Sequence, residues 1–170
     1  MNDFNLTTVG IDDFFKGYRL SDGSIVNVRI MDTGGQEIFD SIISNYYKEA
    51  DCCLLVYDIT SEKSFDKIQN YYIGKIKENC KSIIKVILLG NKTDLKDERK
   101  ISLKSGADLA KENGFIFMET SCKDNYNVSD AFTTLIEMTN SELIKTNNRK
   151  NFKLKDRTNN IKEEENKKCC

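Results

Sequence analysis

The chain has 170 residues, a formal net charge of −1 and 31% charged residues, enough for one domain with a core plus a tail, and without the basic excess of a nucleic-acid binder. It contains no histidine, which excludes Ser-His and Cys-His nucleophilic machinery and histidine metal sites, and it has neither tryptophan nor proline. The six cysteines (Cys52, Cys53, Cys80, Cys122, Cys169 and Cys170) form no C-x-x-C pair, and no signal peptide leads the sequence, so reduced cytosolic thiols are expected rather than a zinc site or disulfides.

The first elements are "GIDDFFKGYRL" (10–20) and "SIVNVRIM" (24–31), which read as strands. The turn residues "SDG" between them predict a hairpin. "CCLLVYDIT" (52–60) and "SIIKVILLGNKTD" (82–94) differ in character. Each is a continuous apolar run ending in a polar cluster, the pattern of a parallel strand buried on both faces with a functional loop at its carboxyl end. "FIFMETSCK" (115–123) repeats the pattern in short form. Neither "CCLLVY" nor "VILLG" is long enough to span a bilayer.

Helical patterns fall between these strands. Phe65, Ile68, Tyr72 and Ile76 follow "TSEKS", which offers N-caps. Leu103, Ala107 and Ala110 follow Ser102, and Val128, Ala131, Phe132, Leu135 and Ile136 form an apolar stripe. Alternating strand and helix predict an α/β domain with a mostly parallel sheet, whose ligands sit at the carboxyl ends of the strands. From about Asn147 the sequence is polar and aperiodic, with eight basic and four acidic residues. It reads as a disordered tail of net charge +4 on a body of −5.

Four loops carry chemistry. In "GNKTD" (90–94), Asp94 can accept two hydrogen bonds from one planar edge, as guanine offers and adenine does not. Lys92 can lay its apolar stem along a base, and Asn91 can tie the loop to its neighbours. A polar turn after a strand would read the same way, because four-residue motifs recur by accident. In "ETSCK" (119–123), Ser121 can brace a loop whose N–H groups face a ligand carbonyl, and Lys123 can flank the base; alone, it equally describes an ordinary turn before a helix. In "DTGGQE" (32–37), Asp32 can hold Mg²⁺ through a water, Gly35 lets a backbone N–H approach a phosphate, and Gln36 can orient an attacking water. A flexible Gly-Gly turn is the plainer alternative. Thr8 in "NLTTVGIDD" can place its hydroxyl on Mg²⁺, although threonine is common at strand entries.

In this order, the four segments resemble the Ras superfamily of small GTPases, and the Rab family in particular. "TTVGIDD" resembles switch I and "DTGGQEIF" switch II; "NYYKEAD" and "LLVYDIT" resemble Rab sequences, and "GNKTDL" and "ETSCK" match the guanine-recognition loops. The terminal "CC" resembles a doubly geranylgeranylated tail. The resemblance implies a P-loop NTPase-like small GTPase domain over residues 1–143 and a disordered tail over 144–170. It implies GTP or GDP with Mg²⁺ as ligands: Thr8, Asp32, Gly35, Asn91, Lys92, Asp94, Ser121, Cys122 and Lys123 bind nucleotide, Thr8 and Asp32 serve the metal, Gln36 is catalytic, and Cys169 and Cys170 carry lipid. Prenylation machinery, exchange factors, activating proteins and effectors are the implied partners. The implied location is the cytoplasmic face of intracellular membranes, in exchange with cytosol.

The sequence departs from the Rab pattern at several places. Met31 replaces the usual tryptophan, Gly34 the usual alanine, and Asp13 an effector-facing aromatic residue. G-x-x-x-x-G-K-[ST] occurs nowhere in the chain, and only seven residues precede Thr8. With the first strand, phosphate loop and first helix unaccounted for, an N-terminally incomplete gene product is expected. The strand ending at Met31 and the one beginning near Cys52 then either pair directly or leave a gap. Two functions stand on this reading: a GTP-hydrolysing switch for vesicle traffic, and a nucleotide-free pseudo-GTPase that acts as an interaction module.

Overall fold

The computed structural model describes residues 11–33, 46–80 and 84–146. Strands β1 (Ile11–Arg19) and β2 (Ile25–Thr33) form the expected antiparallel hairpin, with Ile11 opposite Thr33 and Arg19 opposite Ile25. The turn closes as its sequence dictates. Asp22 Oδ1 accepts from the Ser24 N–H at 2.9 Å, and Gly23 takes φ 84°, a value that suits a residue without a Cβ.

Strands β3 (Cys52–Asp58), β4 (Lys85–Asn91) and β5 (Ile116–Glu119) form a parallel three-stranded sheet in the order β3-β4-β5. Helix α1 runs over 62–79 and contains a wider π-helical turn at Ile68–Tyr72. Helix α2 is Leu103–Asn113, and α3 runs over 128–146. The predicted caps are present. Ser61 accepts from the Ser64 N–H and Ser102 from the Ser105 N–H, each satisfying an amide that has no partner within the helix. Gly114 ends α2 in the left-handed region at φ 70°.

The central strand β4 divides the core. Val86 and Leu88 face one way, into a cluster with Leu55, Tyr57, Ile68, Ile76 and Leu109 under α1 and α2. Ile87 and Leu89 face the other way, onto Ala131 and Leu135 of α3. This is the α/β architecture with a parallel sheet expected from the alternation, here with helices on both faces, and β4 is buried on both sides. Burial of each such side chain contributes about 1.5–3 kcal/mol.

The expectation for β3 needs correction. Val56, in the middle of the strand, is 50% exposed. The physical reason is position: β3 pairs only with β4, so among the described residues it is a sheet edge. Nor do β2 and β3 pair; the hairpin and the parallel sheet are separate. The hairpin docks instead on α3, where Tyr18 stacks on Phe132 (centroids 6.3 Å apart) and the Ser21 N–H donates to Glu137 Oε1 at 2.9 Å. At the start of β3, burial pushes the Cys53 thiol up to about 12, leaving it protonated and unreactive at neutral pH, as a packing residue should be.

Candidate functional site

All three parallel strands end in polar residues on the same edge of the sheet. Asp58 ends β3, Asn91 ends β4, and Thr120 and Ser121 follow Glu119 at the end of β5. The β4–β5 ladder continues one step beyond the strand, because the Thr120 N–H donates to Gly90 O at 2.9 Å. That step brings "NKTD" and "ETSCK" side by side.

The two loops interlock. Asn91 Oδ1 accepts from the Thr120 hydroxyl and from the Cys122 N–H, each at 3.3 Å, the tie expected of it. The Thr93 N–H and hydroxyl both donate to Thr120 O, at 3.2 and 3.1 Å. Ser121 is buried; its hydroxyl donates to Asp94 Oδ1 at 2.6 Å and accepts from the Asp124 N–H at 3.1 Å. Ser121 is thus the brace that the sequence suggested.

Asp94 is the focal acceptor. Its side chain is 9% exposed, and Lys123 Nζ lies 3.8 Å from Oδ2. The Ser121 hydroxyl, then the backbone N–H of Asp94 itself and the charge of Lys123, hold its carboxyl below the ordinary value of 3.8 against the opposing effect of burial. Asp94 is therefore an ionised acceptor at neutral pH. A carboxylate has about four lone-pair sites; Ser121 occupies one, leaving capacity for a ligand with two adjacent donors. Lys92 adopts a left-handed backbone (φ 70°, ψ 38°) at the entry to a helical turn over Thr93–Glu98. Its ammonium lies 2.7 Å from Asp58 Oδ2.

A model of the Ras family matches residues 2–141. The chain belongs to the Ras family. It is 45% identical over 130 residues to Ras-related protein Rab-8A of Bos taurus and to Ras-related protein Rab-8B of Homo sapiens. Those matches cover 76% of this chain and 62% of each relative, so the chain spans less than two thirds of the curated relatives it matches.

Of the residues that the Ras-family resemblance implicates, the structure brings together Asn91, Lys92, Asp94, Ser121, Cys122 and Lys123. Asp32 is exposed near the end of β2, on the separate hairpin. Thr8, Gly35, Gln36, Cys169 and Cys170 lie outside the described residues. Among the described residues no group of three or more acidic or cysteine side chains could hold a metal ion. Asp32 is the one proposed Mg²⁺ ligand within them. Asp13 forms a cross-strand pair with Arg29, whose Nη2 and Nε lie 2.7 and 3.1 Å from its two carboxylate oxygens.

Sequence reasoning missed a supporting pair. Arg99 donates from Nη1 and Nη2 to the two carboxylate oxygens of Glu119, at 2.6 and 2.9 Å, and from Nη1 to Ile101 O at 3.1 Å. Glu119 O in turn accepts from Asn127 Nδ2 at 3.0 Å. Glu119 thus holds the segment after "NKTD" with its side chain and the segment after "ETSCK" with its backbone. The glutamate within "ETSCK" was the available signal; its partner 20 residues upstream carried none.

Proposed function

We propose that the chain is a Rab-type GTP-binding switch for vesicle traffic, with guanine selected by the "NKTD" and "ETSCK" loops. The observation that carries this reading is the nearly buried, ionised Asp94, held by Ser121 with acceptor capacity to spare. The N1–H and exocyclic amine of guanine meet that capacity; adenine has no such edge and would leave a buried acceptor unsatisfied. Family membership and similarity to the Rab-8 proteins support the same reading.

In this proposal Asn91, Thr93 and Thr120 fix the loop, while Lys92 and Lys123 flank the base and the Cys122 N–H lies at the rim. Asp32 and Thr8 would serve Mg²⁺, which neutralises charge on phosphate oxygens when bound. Gln36 would orient the attacking water. Exchange factors, activating proteins and effectors would read the switches. Lipid on Cys169 and Cys170 would anchor the protein on intracellular membranes, since two chains hold stably where one is marginal, and the +4 tail would favour anionic lipid. No helix among the described residues is long and apolar enough to cross a membrane.

Titration of the full chain with fluorescent GDP and ADP analogues, with and without Mg²⁺, tests the proposal. A guanine preference on the order of a hundredfold or more is expected. Equal affinity for the two bases, or binding of neither, would overturn it.

A further inference from the structure

Asp58 and Asn91 are register partners at the ends of adjacent parallel strands. The chain crosses between them once more, where the Ile59 N–H donates to Asn91 O at 3.1 Å. Immediately afterwards Lys92 enters the left-handed region, where a side chain with a Cβ is strained. A strained residue persists only where its surroundings hold it, and such residues cluster at ligand sites.

The backbone of Lys92 is held by the bonds around it, the Leu95 N–H to Lys92 O at 2.9 Å and the Thr93 N–H to Thr120 O at 3.2 Å, and its side chain has a specific partner. Asp58 Oδ1 accepts from the Thr60 N–H at 2.8 Å and from its hydroxyl at 2.7 Å, which fixes the carboxylate plane. That leaves Oδ2 aimed at Lys92 Nζ, 2.7 Å away. Asp58 is 21% exposed and Lys92 52%, so the pair lies at the rim of the site rather than inside it. One oxygen serves its own loop, and the other serves the loop that carries Asp94.

We propose that Asp58 is a positioning residue for guanine-nucleotide recognition, holding the Lys92 ammonium so that the lysine stem runs along the edge where the base lies. The inference rests on the guanine reading of Asp94 and adds a residue to it. Asp58 touches no nucleotide in this account; it acts through Lys92.

A double-mutant cycle on the full chain tests it, using wild type, Asp58→Asn, Asp58→Glu, Lys92→Met and the Asp58→Asn/Lys92→Met pair. Asparagine keeps an oxygen for both Thr60 donors and puts an uncharged NH2, which cannot accept, where Oδ2 faces Lys92. Two quantities are read: the Kd for a fluorescent GDP analogue, and the acylation rate of Lys92 in the nucleotide-free chain, by peptide mass spectrometry with Lys123 as internal control. Asp58→Asn should weaken GDP binding about fivefold, the upper range for an exposed ion pair. Asp58→Glu should restore part of the loss, and the double variant should bind no more weakly than Lys92→Met alone. Lys92 should acylate several-fold faster in Asp58→Asn while Lys123 stays constant. Additive penalties, or Lys92 acylation unmoved by Asp58→Asn, would overturn the proposal while leaving the guanine reading intact. A wild-type chain that shows no preference for GDP over ADP would overturn both.

Discussion

The Ser121 hydroxyl donates to Asp94 Oδ1 at 2.6 Å, joining two loops whose residues stand 27 positions apart in sequence. The bond fixes the orientation of the acceptor proposed to read guanine and holds it ionised. Ser121→Ala should therefore weaken guanine-nucleotide binding by about tenfold, the scale of one hydrogen bond to a charged group. The loss should appear in the guanine-to-adenine ratio and not only in overall affinity.

The same bond gives stability a pH dependence. Asp94 titrates below its ordinary value of 3.8 in the folded chain, first because of Ser121, then because of its own backbone N–H and Lys123. Its contribution is therefore fully present above about pH 5 and is lost as the pH falls below 3.8, through the lower folded value. Ser121→Ala should raise the Asp94 pKa, and the acid-unfolding midpoint should move to higher pH. Carboxylate NMR titration reads the first effect and circular dichroism the second.

Arg99 and Glu119 make a two-pronged ion pair, 25% and 14% exposed, behind the "NKTD" and "ETSCK" loops. Arg99→Ala should lower stability by about 2 kcal/mol in urea unfolding, because it leaves a partly buried carboxylate without its partner. Arg99→Lys should recover only part of that loss, since an ammonium cannot reproduce the planar fork.

Gly106 packs α2 against the sheet. An added Cβ there would meet the Tyr57 hydroxyl and lie 2.6 Å from the ring carbons Cε2 and Cζ of Phe117. Tyr57 is 1% exposed in the core, and the partly buried Phe117 packs against that cluster, so neither ring moves freely. Gly106→Ala should cost about 1–3 kcal/mol by overpacking, even though alanine is the better helix former. An unchanged urea midpoint would show that α2 can shift outward.

These cases show what a sequence can and cannot carry. The strands were legible because apolar runs and turn residues act locally, and Ser61 and Ser102 were legible because a cap serves its own helix. The meeting of Asn91, Asp94 and Ser121 was legible because each motif ends a strand of the same parallel sheet. Val56 was misread because its burial depends on what lies beside β3, not on its own run. The Asp58–Lys92 and Arg99–Glu119 pairs were missed because each joins charges on different elements, and no local pattern marks which charges meet. The left-handed backbone of Lys92 was equally silent, since neither glycine nor asparagine stands there to announce it.

The proposed anchor gives a cellular prediction. Replacing Cys169 and Cys170 with serine should move the protein from membranes to cytosol, read by fractionation. Single replacements should give intermediate retention, because one lipid chain holds only marginally. Undiminished membrane association of the double variant would contradict the anchor.

The central claim is that Asp94 reads the base, and exchanging its chemistry tests this most directly. Xanthine presents a donor and an acceptor where guanine presents two donors, and asparagine offers the matching acceptor and donor. Affinities of wild type and Asp94→Asn for GDP and xanthosine diphosphate should be measured side by side. Wild type should prefer GDP, and Asp94→Asn should reverse the preference. An unchanged preference in Asp94→Asn would contradict that claim.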